Sequence, residues 1–338
     1  MKFDIGMKLN ANDRIPFLLR PAGKDYLWGG SRLKTDFGKD IDMVPLAETW
    51  ECSTHPDGLS MVSGGIFDGW TLEKVLSRHP DYLGTNHDKT GLPILIKLID
   101  AKLDLSVQVH PDDEYARTQE NGQLGKTEMW YVIDASPNAN LTYGFHHDMD
   151  KRTLLDSIRK GNVEKYLNRV FIHPNEVFFV KPGTVHAIGA GALIAEVQES
   201  SNLTYRLYDY NRIDKAGKKR TLHIKKAMDV INLKGSSSPR QPMRVLRYHR
   251  GCASEFLCRC KYFQVERVLI NTERVRELAD YRTGQASFQV LLCTNGCGVL
   301  MEKDSVTLRF FRGDCIFVPA NSVPLKLHGN AQFLKVTC

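Results

Sequence analysis

The sequence predicts a mainly β protein built from two jelly-roll units, with a few helices packed on the first unit. Two features of the chain lead to this prediction. From Tyr262 to Thr337, short apolar runs are separated by turns, a pattern typical of an antiparallel β-domain. In residues 105–110 and 126–128, side chains follow a two-residue period, as in a strand with one face on a core and the other on a cavity.

The first hundred residues indicate short strands joined by tight turns, interrupted by one helix. We predict this helix over 71–83, where apolar residues such as Leu72 and Leu76 recur at helical spacing. Either Thr71 or Asp68 is placed to cap its first turn.

The most informative segment is the Ser-Val-Gln-Val-His-Pro run that begins at Ser106. In a strand, the side chains of Ser106, Gln108 and His110 share one face, while the residues between them face a core. The same two-residue step places Lys126 and Glu128 together on a second segment. A carboxylate is therefore expected to point at the same place as an imidazole.

A third segment, Pro-Gly-Thr-Val-His ending at His186, has the form in which a jelly-roll strand presents a histidine to its interior. With Gln108, His110 and Glu128 it offers a mixed set of nitrogen and oxygen ligands. Such a set favours zinc, with manganese, iron or cobalt as alternatives, because magnesium and calcium bind mainly through oxygens. The set lacks the thiolates of most structural zinc sites, so the metal is expected to bind or polarise something. A lone His-Pro pair is usually in a loop. The prediction of a metal site therefore depends on the occurrence of all three segments together.

Helical periodicity returns over 148–170, split by Lys160-Gly161-Asn162, which predicts a helical insertion in the first unit. It returns again over 222–232. The Gly-Ser-Ser-Ser-Pro run at 235–239 then indicates a linker. We therefore predict a metal-binding catalytic domain over 1–235 and a C-terminal β-domain over 240–338. The second domain has no histidine at the position corresponding to the metal-site histidine, so it is expected to bind no metal.

Composition agrees with an enzyme of the cytoplasm. The 338 residues, 42% of them hydrophobic, suffice for one large or two ordinary domains. No window approaches the ~20 apolar residues that span a bilayer, and the N-terminus lacks a hydrophobic signal region. The eight cysteines form no Cys-x-x-Cys pair and are expected to be reduced. Membrane partners are therefore not expected.

The net charge is +7, but Lys and Arg are spread among acidic residues, which argues against nucleic-acid binding. The densest basic cluster, Lys215–Arg220, surrounds Gly217 and is interpreted as a solvated turn. A modest excess of positive charge suits a small anionic ligand such as a sugar phosphate.

These segments resemble those of type I mannose-6-phosphate isomerases, also called phosphomannose isomerases, in their short bacterial form. The match comprises the family's Q-x-H-P, Lys-x-Glu and later metal histidine, in the same order. Trp28-Gly29-Gly30 and residues 47–58 resemble the family's N-terminal signatures, and residues 196–212 resemble its closing active-site segment. The resemblance covers residues 15–235 strongly. Beyond them it is mainly architectural and implies a second cupin-like jelly roll.

The resemblance implies a metal-dependent isomerase that interconverts mannose 6-phosphate and fructose 6-phosphate through an enediol, with one zinc ion per chain. Arg206 would be the catalytic arginine, and a permanently charged guanidinium suits the negative charge of an enediol-like transition state. The implied metal ligands are Gln108, His110, Glu128 and His186, and the implied substrate contacts are Lys97, Ser106 and Lys126.

The proton carrier stays open. Lys97 or Lys126 either binds the phosphate or transfers protons, for which a lysine needs a lowered pKa. Strand alternation favours Lys126 as a cavity residue. His55 is a candidate for ring opening or an unreactive loop histidine. Like His55, Glu199 is a candidate substrate contact: it either orients Arg206 or carries protons, with a surface salt bridge as the alternative.

One residue departs from the family pattern: many relatives have Asp where this chain has Asn202. A mechanism that requires that carboxylate is therefore in doubt. Two other classes remain, a metal-dependent cupin oxygenase and a sugar-phosphate sensor without catalysis. Neither explains Lys126 and Arg206 beside a full ligand set as well as an isomerase does. The chain is expected to be a monomer or a small homo-oligomer.

Overall fold

The computed structural model describes residues 14–87, 91–213, 217–236, 239, 241, 243–275, 277–303 and 305–338. Residues 1–13, Lys215 of the basic cluster, and Ser237, Ser238 and Arg240 at the predicted linker lie outside the described residues. In the described part the strands are β1 (Phe17–Arg20), β2 (Ala22–Lys24), β3 (Glu48–Cys52), β4 (Met61–Ser63), β5 (Ile94–Asp100), β6 (Val107–Val109), β7 (Glu128–Ala135), β8 (Asn140–Phe145), β9 (Leu167–Phe171), β10 (Val177–Val180), β11 (His186–Ile188), β12 (Ala192–Glu199), β13 (Tyr205–Tyr208), β14 (Leu246–His249), β15 (Cys252–Arg259), β16 (Gln264–Asn271), β17 (Ala279–Tyr281), β18 (Gln289–Glu302), β19 (Ser305–Phe311), β20 (Cys315–Val318) and β21 (Leu325–Thr337). The helices are α1 (Arg32–Thr35), α2 (Leu72–Arg78), α3 (Asp113–Gln119), α4 (Lys151–Arg159), α5 (Ile224–Val230) and α6 (Thr272–Val275).

The chain divides into two compact units, each discontinuous in sequence. Unit 1 consists of Met1–Ala22, Glu51–Leu92 and Arg244–Cys338, and unit 2 consists of Gly23–Trp50 and Pro93–Met243. The sequence prediction used contiguous ranges instead, and it grouped the N-terminal residues with the metal-binding domain. The division at the linker stays a prediction of how the chain is organised.

Unit 1 contains a ten-stranded sheet in the order β14-β15-β16-β21-β18-β20-β1-β4, with β17 on β21 and β19 on β18. Strand β1 joins the C-terminal strands because its buried face matches theirs. Phe17 lies opposite Phe317 in the antiparallel pairing, and the two rings stack with centroids 5.3 Å apart. The apolar runs between Tyr262 and Thr337 are strands, as the sequence predicts.

Two further sheets consist mainly of unit 2 residues, one in the order β10-β7-β12-β5-β3-β2 and one in the order β13-β6-β11-β8-β9. Strands β5 and β12 are buried along their whole length, as expected of central strands. A cluster of buried side chains from both sheets, including Trp130, Phe178, Ile194, Leu141 and Ile188, fills the space between them. The predicted mainly β fold of the jelly-roll type is confirmed.

Helix α2 begins as predicted, since Thr71 accepts a hydrogen bond from the backbone N–H of Lys74 at 3.1 Å and caps the first turn. The helix ends at Arg78, before the predicted end, because Pro80 cannot continue the hydrogen-bond ladder. A separate 3-10 turn, Pro80–Leu83, follows.

The helical insertion is interrupted at the predicted break over 160–162, but the part after the break is not an α-helix. Helix α4 ends at Arg159, and Gly161 adopts a φ of +66°, a conformation that terminates helices. A 3-10 turn over Val163–Tyr166 leads into β9, so the end of the predicted helical segment is a strand. Helix α5 lies within the predicted range 222–232. Among the described residues, no helix is long and apolar enough to cross a membrane.

Candidate metal and substrate site

Three strands of unit 2 bring the predicted metal ligands together. Strand β6 contains Gln108 and leads directly into His110, β7 begins with Glu128, and β11 begins with His186. Gln108 lies opposite His186 in the antiparallel pairing of β6 with β11. The candidate ligand atoms of His110, Glu128 and His186 lie within 4.8 Å of one another, and all three residues are buried.

The two imidazoles present unprotonated nitrogens to each other. The Nδ1 atoms of His110 and His186 lie 2.8 Å from the carbonyl oxygens of Leu203 and Thr184, respectively. A carbonyl only accepts hydrogen bonds, so each Nδ1 has the proton and each Nε2 has a lone pair. The two Nε2 atoms are 3.1 Å apart. Burial, aided by the Lys126 ammonium, lowers the pKa of His110 to about 3, so its neutral form is strongly favoured. Two facing lone pairs need a cation between or beside them.

Glu128 supplies the negative charge of the cluster. Its Oε1 lies 3.3 Å from Nε2 of His186, and its Oε2 lies 3.5 Å from Nε2 of His110. Neither oxygen has a hydrogen bond to a described residue, although the Lys126 ammonium lies 2.9 Å from Oε2. Burial alone would raise the pKa of Glu128, but the Lys126 ammonium holds it well below its usual range. A buried carboxylate with unused lone pairs fits a bound cation.

Gln108 completes the set. Its amide nitrogen lies 3.4 Å from Nε2 of His186, and a 180° rotation of the amide exchanges that nitrogen for the oxygen. The donor set therefore suits a borderline divalent metal, with two imidazoles, one carboxylate and one amide oxygen.

A cavity of about 260 Å³ borders the cluster. Gln108 lies in its wall, together with four of the residues predicted to act on the substrate: Lys97, Ser106, Lys126 and Arg206. Asn202, the residue that departs from the family pattern, lies there too.

Two buried glutamates of the cavity wall, Glu48 and Glu196, were missed by the sequence analysis. Lys97 Nζ lies 2.9 Å from Glu196 Oε1, and Lys126 Nζ lies 3.8 Å from the same oxygen. Burial would lower the pKa of Lys97, but Glu196 and then Glu48 raise it above its usual value. Lys97 is therefore held as an ammonium. The available sequence signal for Glu196 is its position two residues before Gln198, at the start of the polar part of a strand that begins with four apolar residues.

Arg206 lies in β13 directly opposite Gln108 of β6. Its Nε donates a hydrogen bond to the Ser106 hydroxyl at 3.2 Å, and its Nη1 donates to the carbonyl of Thr221 at 2.9 Å. Burial, followed by the nearby Arg220, lowers the pKa of Arg206. The guanidinium nevertheless stays charged at neutral pH, as arginines in proteins do.

Two predicted substrate contacts lie elsewhere. Glu199 is buried and is not part of the cavity wall; its Oε2 accepts a hydrogen bond from the backbone N–H of Thr127 at 2.7 Å. It therefore braces the segment that contains Lys126 and Glu128. His55 lies in unit 1, where its Nδ1 accepts a hydrogen bond from the backbone of Asp57 at 3.1 Å. The substrate contacts of both residues stay predictions.

Glu199 gives a prediction about the pH dependence of stability. Burial raises the pKa of Glu199 from 4.5 to about 7. The folded chain therefore retains a proton that the unfolded chain loses, and this contribution to stability falls as pH rises from about 4.5 to about 7. Glu199→Gln should remove this dependence. Between about pH 4.5 and pH 7, the free energy of unfolding of the variant should therefore rise by about 1–3 kcal/mol relative to that of wild type. Urea unfolding at several pH values measures the difference, and parallel pH curves for the two proteins would contradict it.

A third residue missed by the sequence analysis is Arg220, which also lines the cavity. Its cluster was interpreted as a solvated turn, but Arg220 is half-buried and pairs with the buried Asp209 through Nε, 2.7 Å from Oδ2. No local pattern distinguishes it from the neighbouring lysines, because the contact that fixes it spans eleven residues.

Comparisons with known proteins agree with this geometry. Residues 17–143 match the family model of the phosphomannose isomerase type I catalytic domain. The mannose-6-phosphate isomerase ManA of Bacillus subtilis is 37% identical over 321 residues, which cover 94% of this chain and 97% of that protein. GmuF of the same organism, a probable mannose-6-phosphate isomerase, is 46% identical over 218 residues, or 64% of this chain and 69% of that protein.

The fold agrees as well. A crystal structure of the mannose 6-phosphate isomerase from Bacillus subtilis superimposes with a TM-score of 0.87 at 34% identity, covering 96% of this chain and 99% of that one. The similarity to ManA extends over almost the whole length of both proteins. The chain therefore belongs to the type I phosphomannose isomerases, a family of metal-dependent isomerases of mannose 6-phosphate and fructose 6-phosphate.

Proposed function

We propose that this chain interconverts mannose 6-phosphate and fructose 6-phosphate, using one zinc ion held by Gln108, His110, Glu128 and His186. The observation that supports this most directly is the pair of facing Nε2 lone pairs beside the buried Glu128 carboxylate. This cluster borders a cavity lined by lysines and arginines, which suits an anionic sugar.

Zinc is favoured over magnesium or calcium because two of the four ligands are imidazoles. When bound, the metal supplies a Lewis acid that stabilises negative charge on substrate oxygens. With Glu128 as the one anionic ligand of the set, about one unit of the metal's positive charge stays uncompensated, which suits this chemistry.

Arg206 is the residue we assign to stabilising the enediolate. An aldose-ketose conversion removes a proton from one carbon and returns it to the next, and negative charge builds on the neighbouring oxygens meanwhile. A guanidinium can donate hydrogen bonds to two oxygens at once. Ser106, bonded to Arg206 Nε, is assigned to positioning it and to contacting the substrate.

The proton transfer is assigned to Lys126, because it lines the cavity beside the metal cluster, where the reacting carbons are proposed to lie. Lys97, whose pKa is raised by Glu196 and Glu48, is assigned to binding substrate oxygens. His55 stays a candidate for ring opening. The amide of Asn202 cannot carry a proton as a carboxylate would, so no step is assigned to it.

The first experiment is an assay of purified protein with mannose 6-phosphate, following fructose 6-phosphate. We expect turnover by the metal-loaded enzyme, loss of at least about 90% of it after chelation, and its return on adding zinc. Metal content is measured in parallel. Zinc-loaded protein without any turnover would refute the isomerase and favour a sensor, and oxygen-dependent consumption of the sugar would favour an oxygenase.

A cytoplasmic location and a monomeric or small homo-oligomeric state belong to the same proposal. All eight cysteines are free, which suits a reducing compartment. Gel filtration with light scattering tests the oligomeric state.

A further inference from the structure

The side chain of Arg220 is fixed at the cavity by a two-point contact with Asp209. Its Nε lies 2.7 Å from Oδ2 and its Nη2 lies 2.5 Å from Oδ1. Asp209 is buried, and burial alone would raise its pKa, but hydrogen bonds from Arg220 and Arg212 keep it lowered. A guanidinium held along one edge is oriented before any ligand arrives, which reduces the entropy lost on binding.

This contact leaves most donors of Arg220 unused. A guanidinium has five N–H groups, and Asp209 takes one from Nε and one from Nη2. Arg220 has no other hydrogen bond within the part of the chain that the structure describes. Both N–H groups of Nη1 and the second N–H of Nη2 therefore remain. Arg206, in the same cavity wall, likewise has no hydrogen bond from Nη2 to a described residue.

The charges around Arg220 are not balanced. Within the described ranges, Asp209 is the carboxylate paired with both Arg212 and Arg220, and Arg206 adds a third guanidinium nearby. Three guanidinium groups and one carboxylate leave two positive charges. A phosphate monoester has a charge of about −1.5 to −2 at neutral pH and three acceptor oxygens, so it matches both the charge and the unused donors.

We propose that Arg220, oriented by Asp209, binds the phosphate of the substrate and thereby selects phosphorylated sugars. The inference rests on the proposed function, since it assigns one part of the substrate to one part of the same cavity. Gln108 and Ser106 are two residues apart along the chain, about 7 Å in extended backbone, and Arg206 contacts Ser106. The sugar carbons would thus lie towards Gln108, Arg206 and the metal cluster, and the phosphate towards Arg220.

Arg220→Gln tests this proposal, with Lys219→Gln as the matched control. Lys219 is exposed, and its side chain donates a hydrogen bond to Asn211 and does not line the cavity. Its substitution removes the same charge, one residue away from Arg220. We expect Arg220→Gln to raise KM for mannose 6-phosphate by about ten- to a hundredfold and to change kcat by less than about threefold. The constant for competitive inhibition by inorganic phosphate should rise by a similar factor. The control should keep both constants.

A purely structural role for Arg220 makes a different prediction. Loss of its contact with Asp209 would then lower kcat or thermal stability, but it would not selectively weaken the binding of phosphate. Unchanged KM and unchanged phosphate inhibition in Arg220→Gln would overturn the proposal. If that variant does not fold, Arg220→Lys decides. Lysine keeps the charge but cannot donate hydrogen bonds to Asp209 and to the phosphate from two edges of one planar group. We therefore expect a KM about three- to tenfold above that of wild type. An unchanged KM in Arg220→Lys would then overturn the proposal.

Calorimetric titration with inorganic phosphate separates this inference from the proposed function. It needs no turnover, and binding to wild type that is weakened in Arg220→Gln supports the subsite whether or not the enzyme isomerises the sugar. Wild-type turnover with equal phosphate binding in both proteins would refute the subsite alone.

Discussion

His186→Ala is expected to lower kcat/KM for mannose 6-phosphate by on the order of a thousandfold or more, together with loss of the bound metal. The imidazole of His186 lies 3.1 Å from that of His110 and 3.3 Å from the Glu128 carboxylate, so the other ligands converge on the atom that the substitution removes. A metal that contributes several kcal/mol to transition-state stabilisation accounts for a change of this size. Metal content per chain, measured by mass spectrometry, should fall in parallel with activity.

The control for this variant is His173→Ala. His173 is exposed, belongs to the same unit, and pairs with Glu176 outside the cavity, so its loss removes an imidazole without touching the cluster. We expect wild-type activity and metal content. A His186→Ala protein that has lost its metal and still turns over the substrate at the wild-type rate would show that the metal has no part in catalysis.

Strand alternation, a local property, was sufficient to predict that Gln108 and His110 share one face of a strand and that Lys126 and Glu128 share a face of another segment. Every second side chain of a strand lies on the same face, whatever the rest of the fold does. The antiparallel pairing of Gln108 with His186 then brings two such faces into one site. Family resemblance added their roles, which periodicity does not determine.

Contacts between distant segments could not be predicted in this way. The pairing of Phe17 with Phe317 joins opposite ends of the chain, and no local pattern in β1 identifies β20 as its neighbour. The helical insertion illustrates a smaller error, since the helical spacing of apolar residues continues after the break at Gly161, whereas that stretch forms a 3-10 turn and strand β9. The position of Arg220, like the pairing of Phe17 with Phe317, depends on a contact that no local pattern reveals. Its cluster has the composition of a solvated turn, and only the ion pair with Asp209 draws it to the cavity.

Arg206→Ala is expected to lower kcat by on the order of a hundredfold or more while leaving the metal bound, as loss of a transition-state cation often does. Arg206 pairs with Gln108 through the backbone, and its side chain donates hydrogen bonds to Ser106 and Thr221, neither of which is a proposed metal ligand. Truncation of the side chain should therefore leave the metal ligands in place. Arg206→Lys should recover part of kcat, because it keeps the charge but loses the paired donors. Arg169→Ala serves as control, since Arg169 contacts Asn140 outside this cavity.

The division of kcat and KM between the two arginines is the sharper test. Arg206 contacts Ser106 and lies opposite Gln108, next to the proposed reacting carbons, so its loss should appear mainly in kcat. Arg220 contributes to binding the phosphate, a group that does not change during the reaction, so its loss should appear mainly in KM. Wild-type turnover in Arg206→Ala would remove that residue from the mechanism. If both substitutions raised KM alone, the two guanidiniums would form one phosphate site, and the charge on the enediolate would have to be stabilised by Lys97, Lys126 and the metal.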